Sequence, residues 1–253
     1  MAKALGVPCE LGRADVRALA ASTGAGLEEA GRAARYAFLE EVRQRHGAEW
    51  ILLAHHADDL VEDVLLRLIR GAGWPALGGM PALDAQRHLL RPFLELSKSE
   101  LEAFARQEGA AWLHDASNES DAFRRNRLRH HVLPLLFAEN PALRRTIARL
   151  WELAREDERF WESYLSPIVS TCLCGEGEAA LAEAKARALP RAARLRLFAK
   201  LIAHVGRGKG QPRAETLFAL DNALLAPQRP KRFQFPGGIT ATLHGGVIRF
   251  ARG

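Results

Sequence analysis

The chain has 253 residues, 48% hydrophobic and 26% charged, with a formal net charge of +6. That length supports one large domain or two modest ones, with the composition of an ordinary globular protein. No apolar run reaches membrane-span length and the N-terminus lacks a secretory apolar region. The three cysteines, Cys9, Cys172 and Cys174, make neither a disulfide framework nor a paired zinc site, so the expected setting is the cytoplasm, with no membrane partner.

The basic charge is segregated. Arg124 to Arg149 holds seven arginines against one acid, Glu139, and Arg187 to Arg213 holds six arginines and two lysines against none. The rest of the chain is net acidic. Clustered arginine suits a polyanion, because each phosphate contact releases counterions.

In chain order, Met1 to Gly6 reads as the last turn of a helix with Gly6 as its C-cap, and Val7 to Leu11 as a short strand. Leu27, Ala30, Ala34, Phe38 and Val42 fall on one face, which predicts a helix over Leu27 to Arg45 stopped by Gly47. Glu49 to Ala54 is apolar enough for a buried parallel strand. A helix follows from Asp58 to Arg70, then a strand over His88 to Arg91. Ser97 and Glu100 form a capping box that opens a helix to Gln107. Alternating strands and helices imply an open α/β sheet. Beyond Arg124 long helical patterns dominate, over Pro141 to Tyr164 and Leu181 to Val205, with Trp151 and Trp161 as core anchors. Pro236-Gly-Gly238 and His244-Gly-Gly246 predict a small β-hairpin at the end. The fold class is therefore α/β, a partial Rossmann-like parallel sheet over residues 1–137, followed by a mainly helical domain over 138–253.

Chemistry-bearing residues crowd the segment His55-His-Ala-Asp-Asp59 and Glu62, where the apolar strand meets the next helix. Ligands of open α/β sheets bind at the carboxyl ends of strands. Asp58 and Glu62 share a helix face, Asp59 suits Mg2+ or the orientation of a nucleophile, and His55 suits phosphate contact or proton transfer. The competing interpretation is an N-capping Asp58 beside loop histidines. A protein-only metal site is not expected, since no His-x-x-x-His pair occurs and Ala57 separates His56 from Asp58. Farther on, Trp112 to Asn118 precedes Asn126, Arg127 and Arg129, whose guanidinium forks suit phosphate and whose Asn126 suits a loop or a hydroxyl; a solvated basic helix start is the alternative. Arg32 and Arg35, three apart, suit a triphosphate, although a surface pair is the simpler interpretation.

These segments, in this order, resemble the tRNA(Ile)-lysidine synthetases of the PP-loop ATP pyrophosphatase superfamily. The resemblance rests on Glu28 to Tyr36, Ala54 to Asp59 with Glu62, Arg67 to Gly73, Leu77 to Pro81, Leu90 to Phe93, Trp112 to Asn118, Arg125 to His130 and Asn140-Pro141. It is close from Met1 to Pro141 and looser beyond. The resemblance implies an enzyme acting on the isoleucine tRNA with a CAU anticodon. ATP, with Mg2+, adenylates the C2 oxygen of the wobble cytidine, and the ε-amine of L-lysine then displaces AMP. It implies catalytic roles for Asp59, Arg35, His55 and Arg127, and substrate contacts from Arg32, Asp58, Glu62, Arg70, Asn126 and Arg129. The helical part would hold the tRNA. The family's phosphate-cradling Ser-Gly-Gly-x-Asp-Ser loop does not occur in these 253 residues. The expectation is therefore a chain lacking roughly the first hundred residues of a family member, a βαβαβ portion. A non-catalytic tRNA-binding remnant, half of a split enzyme with a separately encoded N-terminal segment, a homodimer, or a PP-loop tRNA thiolase stay open beside it.

Overall fold

The computed structural model describes residues 2, 6–110, 112, 119–208, 212–226 and 231–252. Most of the Met1 to Gly6 stub, Leu113 to Asn118 and Lys209-Gly210 lie outside the described residues. The chain divides into two compact units, Met1–Arg155 and Glu156–Gly253. The division falls inside one long helix, 18 residues beyond the domain boundary expected at 137.

In the first unit, α1 (Val16–Thr23) and α2 (Leu27–Arg45) precede β1 (Ile51–Leu52) and α3 (Ala57–Ile69). Then come β2 (Leu83–Asp84), β3 (Leu89–Leu90) and α4 (Lys98–Gln107). A helical stretch follows, made of α5 (Arg124–Arg127), a π-helical turn (Leu128–Val132), α6 (Leu133–Glu139) and α7 (Leu143–Cys172). The sheet order is β1-β3-β2, with β1 parallel to β3 and β2 antiparallel to it. Parallel strands need a crossover, and α3 lies between β1 and β3 in the chain. Leu60, Val61 and Val64 of α3 pack with Met80, Leu94, Leu133 and Ile147. Trp151 packs against that cluster and its indole donates to the Met80 carbonyl at 2.8 Å.

The helix expected at Leu27 to Arg45 has those bounds, and the Ser97–Glu100 capping box forms, with Glu100 accepting from the Ser97 amide at 2.7 Å. The strand expected at Val7 to Leu11 does not form among the described residues. Side chains of α2 hold this stretch in place of a ladder: Glu10 meets Arg45 at 2.8 Å and His46 at 2.7 Å.

In the second unit, β4 (Leu173–Gly175) and β5 (Glu178–Ala182) lead into α8 (Glu183–Ala188), α9 (Arg191–Val205) and α10 (Ala214–Leu225). Three strands close the chain, β6 (Lys231–Phe235), β7 (Ile239–His244) and β8 (Val247–Arg252). They form one antiparallel sheet ordered β4-β5-β8-β7-β6. The small terminal hairpin expected from the sequence is thus part of a five-stranded sheet. The single helix expected over Leu181 to Val205 is interrupted. Leu189, extended ahead of Pro190, cannot continue a helix, and Leu181 belongs to β5. The β7–β8 turn uses Gly245 and Gly246 at φ +60° and +76°, the left-handed pair that a two-residue hairpin requires. One sheet face buries Phe235, Ile239, Ala241, Leu243, Ile248 and Phe250 against Leu197, Phe198, Leu201 and Leu220 of the helices. Trp161 packs against this second core, so each tryptophan anchors a different unit.

Candidate active site at the β1–α3 junction

The β1–β3 ladder continues as a parallel bridge between His56 and Phe93, and the Ala57 amide donates to the Leu96 carbonyl at 2.8 Å. The chain turning from β1 into α3 is thereby fixed by its own backbone. At that turn the His56 amide donates to Asp59 Oδ2 at 3.0 Å, so Asp59 satisfies a backbone donor at the helix entry while pointing its other oxygen away.

That other oxygen, Oδ1, accepts from Arg125 Nη2 at 2.7 Å. Glu62, one turn along α3 and 1% exposed, accepts from Arg125 Nε at 2.5 Å and from both Nε and Nη2 of Arg129 at 2.6 and 3.0 Å. Two carboxylates and two guanidiniums thus close a charge-balanced cluster joining α3 to the α5 region. Although burial works against it, Glu62 and Asp59 raise the Arg125 pKa further above its ordinary value. His55 sits beside the cluster. Burial pushes its pKa below the usual 6.5, opposed by Asp59 and reinforced by Arg91, Arg125 and Arg32. Its Nδ1 is buried and has no hydrogen-bond partner among the described residues. A neutral imidazole with a free ring nitrogen can accept a proton.

The other residues singled out from the sequence lie in different places. Asp58 faces away from the cluster, accepting from the Lys98 amide at 2.9 Å and from Arg144 Nε at 2.7 Å. Asn126 is buried and donates to the Ser120 carbonyl at 2.8 Å, and Arg127 Nη1 donates to the carbonyls of Asp121 and Ala122. Both therefore brace the loop before α5. Arg70 caps the opposite end of α3, about 20 Å along the helix from Ala57. Arg32 stacks over Tyr36, 5.3 Å from the ring centroid, and lines a concavity of about 600 Å³ with Tyr36, Ile51 and His88. Arg35 is exposed on α2, and no hydrogen bond or ion pair joins it to the cluster among the described residues.

Arg125 is the cluster member that the sequence reading passed over. The signal was present, since Arg125 and Arg129 are four apart and share a helix face, whereas Arg127 lies between them on another. Among the described residues no group of three His, Cys, Asp or Glu side chains could hold a metal ion.

An open sheet carrying a polar cluster at the carboxyl end of a parallel strand defines a nucleotide-binding α/β class. In agreement, residues 1–136 match the PP-loop domain family ATP_bind_3. The chain is 44% identical to a tRNA(Ile)-lysidine synthase of Nitratidesulfovibrio vulgaris, over 99% of this chain and 76% of that protein. It is 37% identical to the tRNA(Ile)-lysidine synthase of Geobacter sulfurreducens, over 94% of this chain and 51% of the relative. For that of Thermus thermophilus the identity is 35%, over 98% of this chain and 46% of the relative. This chain belongs to the tRNA(Ile)-lysidine synthase family. It spans three quarters of the first relative and about half of the other two.

Proposed function

We propose that the chain acts in the ATP-dependent ligation of lysine to C2 of the wobble cytidine of the CAU-anticodon isoleucine tRNA. The cytidine O2 attacks the α-phosphate of ATP and pyrophosphate leaves. The lysine ε-nitrogen then bonds to C2, the C2–O bond breaks, AMP departs and the amine gives up a proton. The observation that carries this reading is the Asp59–Glu62–Arg125–Arg129 cluster at the β1–α3 junction, inside the segment matching the PP-loop domain.

Within it, Glu62 sets the geometry of Arg125 and Arg129, whose Nη1 groups are the donors proposed to meet phosphate oxygens. Asp59, held by the His56 amide and Arg125, orients the incoming amine through the turn it fixes. His55 is the proton acceptor. Arg32 and Arg35 contribute charge from α2, and Arg127 and Asn126 act through the loop that they brace. The donor set does not fit a protein-held metal, because the oxygens of Asp59 and Glu62 already accept from arginines and a backbone amide; Mg2+ belongs to this reading only as the companion of ATP.

A cytoplasmic setting fits a tRNA substrate, and no helix among the described residues is long and apolar enough to cross a membrane. A homodimer and a separately encoded loop-bearing segment remain partners for sedimentation and mixing experiments to test.

The reading is tested by incorporation of labelled lysine into the isoleucine tRNA. Arg125→Gln is expected to lower the rate by two or more orders of magnitude, about 3 kcal/mol of lost charge stabilisation. Arg127→Gln should cost less, through its loop. Equal effects of the two substitutions, or no effect of Arg125→Gln, would remove the cluster from the chemistry.

A further inference from the structure

The basic run over Arg187 to Arg213 suggested helices that grip RNA, but acids of the second unit pair with five of its eight basic side chains. Arg187 meets Glu183 at 3.1 Å, and Arg191 and Arg194 converge on the fully buried Asp221 at 3.0 and 2.7 Å. Lys200 pairs with Glu162, Arg207 meets Glu176 at 2.9 Å, and Arg196 stacks over Trp161 at 4.3 Å. Those five offer less charge to a polyanion than the composition suggests.

The outer face of the sheet differs. Strand register places Arg232, Thr242 and Arg249 on one rung across β6, β7 and β8, since Arg232 opposes Thr242 and Thr242 opposes Arg249. The two arginines are two strand spacings apart, about 10 Å. Both are exposed, and the described hydrogen bond between them and the protein is a long one, 3.4 Å, from Arg232 to the Thr240 hydroxyl. No carboxylate pairs with either among the described residues. The neighbouring positions are short or polar. Ala180 flanks Arg249, the next rung carries Thr240 and Ala251, and His244 stands at the end of β7. The acid on this face, Glu178, opposes Ala251 at the β5 side. Small side chains between long ones leave a concavity of about 490 Å³ lined by Arg232, Thr240, Thr242, His244 and Arg249.

We infer that this sheet face, and not the arginine-rich helices, is the surface by which the second unit holds the sugar-phosphate backbone of RNA. Two unpaired guanidiniums supply phosphate contacts, and the two threonine hydroxyls between them supply donors and acceptors suited to a 2′-hydroxyl. The inference rests on the tRNA substrate proposed above and assigns a second, separate surface for it.

The test measures affinity of the full chain for the isoleucine tRNA by fluorescence anisotropy across a salt series. Arg232→Gln with Arg249→Gln should weaken binding at least ten-fold at low salt. It should also reduce the slope of log affinity against log salt by about 2, one for each phosphate no longer neutralised. Arg232→Lys with Arg249→Lys should restore most of the slope, which a merely structural role would not predict. A control removing two paired surface charges, Arg106→Gln with Arg159→Gln, should leave the slope near the wild-type value. An unchanged slope in the glutamine variant, or a wild-type chain that does not bind the tRNA, would overturn the assignment. A wild-type chain that binds with the expected slope but incorporates no lysine would contradict the catalytic reading and leave this surface standing.

Discussion

Asp58 and Arg144, 86 positions apart in the sequence, are joined by a 2.7 Å ion pair. Asp58 Oδ2 accepts from the Lys98 amide, so one carboxylate at the start of α3 caps α4 and anchors the start of α7. Arg144 lies over the Phe137 ring, 4.3 Å from its centroid, which fixes the guanidinium from the other side. Asp58 is the natural strut of the first unit, standing next to the Asp59 cluster without belonging to it.

A double-mutant cycle of Asp58→Ala and Arg144→Ala should give a coupling energy of about 1 kcal/mol in urea unfolding, modest because Arg144 is 45% exposed. Burial works against the charge, but the Lys98 amide and Arg144 hold the Asp58 carboxyl below its usual 3.8. A depressed carboxyl pKa contributes stability that is complete above the unfolded value and lost as pH falls through it toward the folded one. Stability measured from pH 5 down to pH 2 should therefore fall less steeply in Asp58→Asn than in wild type, and parallel curves would show that the pair carries no such linkage.

Glu62 is the centre of the neighbouring cluster. Glu62→Ala removes the shared acceptor of Arg125 and Arg129 and should cost about 3 kcal/mol, toward the lower end of the range for a broken buried pair because both arginines retain some solvent contact. Glu62→Gln keeps the shape and loses the charge, so it should fold better than the alanine variant while leaving Arg125 misplaced. Near-wild-type stability of Glu62→Ala would mean that water replaces the carboxylate at little cost.

His55 makes a prediction with a definite sign. Its folded pKa is depressed by burial, so the unfolded chain takes up its proton first, and stability declines as pH drops below about 6.5, the unfolded value. As proton acceptor, neutral His55 should also give lysine incorporation a rising acid limb with its midpoint below 6.5. His55→Asn should flatten that limb. Retention of the limb in the asparagine variant would assign it to another group.

Gly78 tests the packing that supports the site. A Cβ there would stand 2.2 Å from the Ala154 Cβ of α7. Gly78→Ala should destabilise the protein by about 1–3 kcal/mol, as overpacked cores do. Full wild-type stability would show that the loop shifts freely away from α7.

Much of the first unit was legible because its signals are local. Five apolar positions at helical spacing defined α2, and Ser97 with Glu100 announced α4. The polar run at His55 to Glu62 pointed to the candidate site because polar residues crowd the end of an apolar strand there. The second unit was less legible. β5 is built from Glu, Ala and Leu, which favour helices, and its ladder partner β8 lies some 70 residues downstream. Its longest ladder is that distant pairing, beside a short irregular one with β4. The Arg187 to Arg213 stretch is a related case: composition counts charges, whereas the fold decides that Asp221, Glu183 and Glu162 are partners of some of them.

The most direct test of the central claim is nucleoside analysis by mass spectrometry of the CAU-anticodon isoleucine tRNA after incubation with ATP, lysine and this protein. It would be run on the chain by itself and with a segment bearing the Ser-Gly-Gly-x-Asp-Ser loop. The expected result is a wobble cytidine converted to its lysine adduct in at least one of these mixtures, only when ATP is present, and not by the Arg125→Gln variant. An unmodified cytidine in both, under conditions where a full-length relative converts it, would contradict the account.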